Sequence, residues 1–207
     1  MEGAAPPGTQ LEVVGAEIDP GVVELGRRFF DLESGEDRQV WVGDGRAALR
    51  LFPGPFDQVV LDAYANNMEI PPHLASVEFF REVRGSLREG GWLVINAAGF
   101  GLQDPLVSAV SETVAAAFQR EVLCVRVPFS RNCVLFVRSG EEVITPDDAG
   151  WNFVSEAHQG LLGRLALEGA WRLVPVPEEA PLRDDQSPLD QLQLESVLAG
   201  RGSWLDG

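Results

Sequence analysis

Three carboxylates stand where chemistry is done in alternating α/β chains. Glu17 lies near the end of the apolar run LEVVGAEI, Asp44 follows QVWVG, and Asp62 closes FDQVVLD. In open α/β sheets, ligands sit outside the carboxyl ends of the strands, so each of these side chains is placed to meet a bound molecule. A carboxylate at Glu17 can accept from the hydroxyls of a ribose, with Asp19 beside it as a second acceptor on the cofactor side. The same position also suits a neighbour of a helix N-cap. Asp44 can accept from the exocyclic amine of a purine while Gly45 lets the backbone come close, although Asp-Gly is also a turn sequence. Asp62 can act as a general base or hold an ammonium group, or it can serve structure alone. Tyr64, the only tyrosine of the chain, can stack on a ligand or pack. Asn96 can bond across a crevice, and His73 reads as a partnerless loop histidine, structural or exposed.

These groups need a scaffold of alternating strands and helices, and the pattern supplies one. LEVVGAEI is β-rich and ends at Asp19-Pro20, where proline opens a helix over 21–31. QVWVG is a short strand, RAALRLF a helix, and FDQVVLD a nearly continuous apolar run of the kind buried on both faces. Apolar residues at helical spacing (Val77, Phe80, Val83, Leu87) predict a helix over 75–87, ended by Gly90-Gly91 before the strand WLVIN. A helix over 104–118 leads into EVLCVRV and CVLFVR, joined by PFSRN as a hairpin. The expected fold is α/β, a mostly parallel sheet closed by a C-terminal antiparallel hairpin. This domain spans 11–140, and 141–207 is an extension packed on it. Within the extension TPDDAG reads as a linker, 155–168 as a helix, and VPVPEEAPLRDDQSP as too proline-rich and acidic for the core. Asp184 and Asp185 suit caps of a helix beginning near Pro188, and Trp151, Trp171 and Trp204 suit anchors of the tail.

Composition narrows the partners. With 207 residues, 45% of them hydrophobic, the chain can bury one core. Its formal net charge of -16 repels phosphate backbones, so nucleic acid is not expected as a partner, whereas a cationic amine is compatible. Two cysteines and two histidines give no repeated ligand spacing for zinc, and a reduced, cytoplasmic protein without a metal is expected. No apolar stretch reaches the roughly 18 residues of a membrane span, so no membrane partner is expected for this chain.

Taken together, VVGAEIDPGVVELGRRFF, VGDGRAAL, FDQVVLDAY and ASVEFFREVRGSLREGGWLVIN resemble the spermidine synthase (polyamine aminopropyltransferase) family and its bacterial relatives. That family shares the Rossmann-like fold of S-adenosylmethionine-dependent methyltransferases. The resemblance covers roughly 11–138, and PLRDDQSPLDQL is similar to the acidic-acidic-x-x-Pro segment with which many bacterial relatives close. It implies that Glu17 holds the ribose of decarboxylated S-adenosylmethionine, that Asp44 accepts from its adenine amine, and that Asp62 deprotonates an attacking amine. The nucleotide is then a co-substrate with no prosthetic group, and a homodimer is implied. S-adenosylmethionine with methyl transfer, or a non-catalytic or truncated homologue acting as an interaction module, are the alternatives on the same fold. Two departures shape the expectation. A Gly-rich turn should precede the ribose carboxylate by ~20 residues, yet GAAPPGT is not that motif, so the sheet is expected to lack its first strand and glycine-rich loop. Either the remaining strands close the gap or the chain is a piece of a longer protein. The family's second aspartate, three positions after the first, is Ala65 here, which implies an acceptor other than, or in addition to, putrescine.

Overall fold

The computed structural model describes residues 10–32, 35, 37–64, 70–127, 130–140 and 171–203, the side chains of 199–203 excepted. Its elements are β1 (Val13–Glu17), α1 (Pro20–Phe29), β2 (Arg38–Val42), α2 (Gly45–Leu51), β3 (Phe56–Leu61) and a 3-10 turn (Pro72–Leu74). They continue with α3 (Val77–Ser86), β4 (Leu87–Ala98), α4 (Pro105–Phe118), β5 (Val122–Arg126), β6 (Asn132–Arg138), β7 (Trp171–Val174) and α5 (Leu189–Ser203).

Short polar side chains set where helices start. Asp19 caps α1 by accepting from the Gly21 N–H, Asp44 caps α2 through Ala47, and Asp104 caps α4 through Leu106 and Val107. Ser76 does the same for α3 through Phe79. Each cap satisfies backbone donors that the first turn of a helix leaves without partners. Because the caps of α1 and α2 follow strands closely, each strand ends where its polar residues begin.

The strands form a parallel pair, β1–β2, and a five-stranded sheet in the order β3-β4-β6-β5-β7. In the larger sheet β3 and β4 pair in parallel, β5 runs the same way, and β6 and β7 run against them. The α/β class and the antiparallel β5–β6 hairpin thus follow the sequence expectation. Among the described residues β1 pairs only with β2, and β3 only with β4 on its one side. The core sits between the larger sheet and α3 and α4, with Phe80, Val83, Leu93, Ile95, Phe118 and Leu135 buried. Along β4 the inward residues Leu93, Ile95 and Ala97 alternate with partly exposed ones, the period of two expected of a pleated strand.

Several expectations are corrected. FDQVVLD is not buried on both faces: Val60 is 52% exposed, so one face of β3 meets solvent. Gly90-Gly91 does not end a helix before a strand. The helix stops at Ser86, and both glycines lie inside β4, where the register with β3 jumps from Phe56↔Leu87 to Gln58↔Trp92. Gly90 takes φ +74, which an L side chain rarely adopts. The stretch VPVPEEAPLRDDQSP also enters the core, since Val174 ends β7 and Leu182 is fully buried. Trp171 lies in β7 beside β5. Trp151, Trp204, Ala65, the helix expected over 155–168, the linker TPDDAG and the segment GAAPPGT lie outside the described residues.

Candidate functional site

The end of β1 and the end of β2 meet. The Gly43 N–H donates to the Glu17 carbonyl at 2.9 Å, so Glu17 and Asp44 leave adjacent parallel strands at the same end. Glu17 turns its Oε1 to the Asp19 N–H at 2.8 Å, and Asp19 caps α1 through Gly21 at 2.7 Å. Both carboxylates therefore shape the strand-to-helix turn, the helix-start reading of these positions, and keep acceptor capacity to spare. Asp44 Oδ1 accepts from the Ala47 N–H at 2.8 Å, while Oδ2 lies 2.6 Å from Nε2 of His73. Burial pushes the Asp44 carboxyl up, but the His73 hydrogen bond, the Ala47 N–H and the charge of His73 together bring it below its ordinary value. His73 is thus not a partnerless loop residue: the Pro71-Pro72 turn delivers it to Asp44.

A second cluster forms beyond β3. Parallel pairing sets Leu61 opposite Ile95, which places Asn96 next to Asp62 one step further on. Asn96 Nδ2 donates to Asp62 Oδ1 at 2.9 Å, and the Tyr64 hydroxyl donates to the Asn96 carbonyl. Asp62 itself is exposed, with one oxygen oriented by Asn96 and no hydrogen bond to the other among the described residues. The buried Asn96 Oδ1 has no hydrogen-bond partner among the described residues. Tyr64 packs against the core cluster, and burial first, then the charge of Asp62, pushes its hydroxyl up to about 12. It is a neutral donor and brace at physiological pH.

A third group escaped the sequence reading. Arg46, at the start of α2, is buried and pairs with Glu82 of α3 at 2.6 Å and with Asp184 at 2.8 Å. Arg50 pairs with Glu82 as well. Hydrogen bonds from Arg50 and then Arg46 bring the Glu82 carboxyl down to about 2, and Arg46 holds Asp184 below its ordinary value. Asp184 is therefore the partner of Arg46 and not the cap of α5, which begins at Leu189. The neighbouring Asp44-Gly45 marks Arg46 in the sequence, but nothing there announces a partner 138 residues away.

The structure thus joins Glu17 and Asp19 at one turn, Asp44 with Gly45 and His73 at the next, and Asp62 with Tyr64 and Asn96 at the third. Comparison with known proteins adds the following. Residues 10–145 match the family described as Spermine/spermidine synthase domain. A protein of Bifidobacterium longum named "Probable polyamine aminopropyl transferase" is 30% identical over 203 residues, covering 91% of this chain and 45% of that protein. The polyamine aminopropyltransferase of Vibrio vulnificus is 33% identical over 93 residues, 44% of this chain and 30% of that one. A solved structure of a probable spermidine synthase from Corynebacterium glutamicum superposes with a TM-score of 0.58 at 20% identity, over 78% of this chain and 57% of that chain. Human methyltransferase-like protein 13 in complex with SAH gives 0.53 at 17% identity, over 74% and 68% of the two chains. The solved structures bear on the fold alone. The chain spans less than half the length of the curated relatives it matches.

Proposed function

From its membership of the spermine/spermidine synthase domain family, to which this chain belongs, we propose that it carries an aminopropyl transfer from decarboxylated S-adenosylmethionine to a small-molecule amine. The observation that carries this reading is Asp62: an exposed carboxylate just past a parallel strand, oriented by Asn96 at 2.9 Å and braced by Tyr64. An alkylammonium has no lone pair, so the acceptor must lose a proton before it can displace at the carbon bound to the sulfonium. Asp62 takes that proton, the new C–N bond forms as the C–S bond breaks, and the sulfur leaves as neutral methylthioadenosine. The sulfonium supplies the leaving group, so the work of the chain is to align two reactants and accept one proton. Glu17 and Asp19 serve the ribose, Asp44 and Gly45 the adenine, and Tyr64 lines the acceptor side. Ala65 favours an acceptor other than, or in addition to, putrescine. The net charge of -16 suits a cationic substrate. Unbridged Cys124 and Cys133 support a cytoplasmic setting.

The test is mass spectrometry of amines incubated with the chain and each donor, where a methyl and an aminopropyl adduct differ in mass. Asp62→Asn should lower turnover by about 10²–10⁴-fold, the usual worth of a general base, while methylthioadenosine still binds. Methyl adducts from S-adenosylmethionine, or no product from folded protein, would overturn the reading.

A further inference from the structure

We propose that Arg46, anchored by Asp184 of the C-terminal segment, is a positioning residue for the nucleobase end of the site, holding Asp44 and His73 in place without touching the ligand. The inference deepens the transferase reading and rests on its assignment of Asp44 to the adenine amine.

All five N–H donors of Arg46 are engaged. Nε and Nη2 reach Glu82 Oε1 at 3.0 and 2.6 Å, and Nη1 reaches the His73 carbonyl at 3.2 Å. Nη1 and Nη2 then form a fork on the two oxygens of Asp184, at 2.8 and 3.0 Å. The guanidinium also lies 5.9 Å from the centre of the Phe79 ring. Such a planar fork has one orientation that satisfies every donor, which lysine cannot reproduce. Arg46 is only 8% exposed, so a donor left over there would be a costly orphan.

The consequence falls on Asp44, two residues before Arg46. Its Oδ1 is tied to α2 through Ala47, and its Oδ2 to the ring of His73. Arg46 is part of that same helix and its guanidinium also holds the His73 backbone, so one residue links the two elements that tether Asp44. Asp184 completes the set: it supplies two of the acceptors, and its own backbone N–H is held by Glu78 Oε2 at 3.0 Å. The direction in which Asp44 offers its remaining lone pairs is therefore fixed by a residue of the C-terminal segment. An ion pair that served stability alone would weaken every ligand alike when broken. A positioning pair makes the loss selective for the base.

The experiment compares methylthioadenosine with methylthioinosine, which carries an oxygen in place of the amine, by calorimetric titration of the whole chain. The wild-type chain should prefer the amine by about tenfold, the scale of one hydrogen bond to a charged acceptor. In Asp184→Asn and in Arg46→Lys the preference should fall to about twofold, while Glu17→Ala weakens both nucleosides equally in either background. The chain has two histidines, so the His73 imidazole resonances can be assigned with His73→Gln and should shift in Asp184→Asn without ligand. An unchanged preference in the variants, or equal weakening of both nucleosides, overturns the positioning role and leaves the transferase reading standing. No binding of either nucleoside by folded wild-type chain brings down that reading and the positioning role with it. Should Arg46→Lys not fold, Asp184→Asn carries the test, because that side chain is 40% exposed.

Discussion

Tyr64 and Glu82 are two residues whose protonation the fold has biased in opposite directions, and each yields a pH prediction. Burial, and then the charge of Asp62, raise the Tyr64 hydroxyl from an ordinary 10.0 to about 12. A raised value means that the fold favours the protonated phenol. Its contribution to stability is complete below about pH 10 and is lost as the pH rises through about 12. As the only tyrosine, it should give a single phenolate absorbance curve with its midpoint near the upper value in the folded chain, absent in Tyr64→Phe. A midpoint at the free-tyrosine value would contradict the buried ring. Glu82 goes the other way, from 4.5 to about 2, through Arg50 first and Arg46 second. Its stabilisation is present above about pH 4.5 and is lost as the pH falls through about 2. Thermal melts of Glu82→Gln across that window should vary less with pH than those of the wild-type chain, and parallel slopes would contradict the ion-paired network. At this scale Asp62 and Asn96 were legible as polar residues ending neighbouring strands. The His73–Asp44 contact was not, because a loop histidine shows no periodic signal.

Among the elements, the approach of β4 to α4 sets a tight constraint on sequence. Asp104 caps α4 and also accepts from the Phe100 N–H at 2.9 Å and from Ser196 of α5 at 2.5 Å. One buried carboxylate thus fastens the end of β4, α4 and α5 together. Gly99 lies against this joint: a Cβ there would meet Val107 Cγ2 at 2.4 Å and Asp104 Cγ at 2.9 Å. Gly99→Ala should therefore destabilise by about 1–3 kcal/mol, the usual cost of overpacking. Gly85, in α3, has nothing within 4 Å of its added Cβ. Gly85→Ala should stabilise by roughly 0.5–1 kcal/mol through helix propensity. Melting midpoints moving in opposite directions would support this picture, and a neutral Gly99→Ala would remove the close approach from it. The helix over Pro105–Phe118 and its aspartate cap were readable from the sequence, but the tie from the cap to Ser196 joins residues 92 apart and was not.

At the scale of the molecule, the two sheets differ in how well they are covered. Among the described residues the β1–β2 pair has two strands, and α1 beside it leaves Val22, Leu25 and Phe29 exposed. An isolated two-stranded pair is marginal, whereas β4 and β6 pair over seven positions with Leu93, Ile95, Leu135 and Val137 buried. Local opening should follow that difference. Hydrogen exchange followed by mass spectrometry or NMR should show amides of 13–17 and 38–42 exchanging faster than those of 93–97 and 133–137. Equal protection would mean that β1 and β2 open only with the whole fold. This matters for the site, because Glu17 and Asp44 leave the two-stranded pair and Asp62 leaves the five-stranded sheet.

The local part of this protein was determined by its sequence alone: alternating strands and helices, aspartates at the helix starts, and carboxylates at the strand ends. These follow from periodicity and from backbone groups that need caps, which act over a few residues. The tertiary structure decided what distant residues do to one another. It drew Leu182 and Val174 into the core despite their proline-rich surroundings, because burial depends on what the chain meets. It kept Gly90-Gly91 within a strand, where the pairing of β4 with β3 shifts register. It also brought Asp184 to Arg46 and His73 to Asp44, contacts set by the packing of α2, α3 and the returning C-terminal segment, for which no spacing along the chain gives a sign.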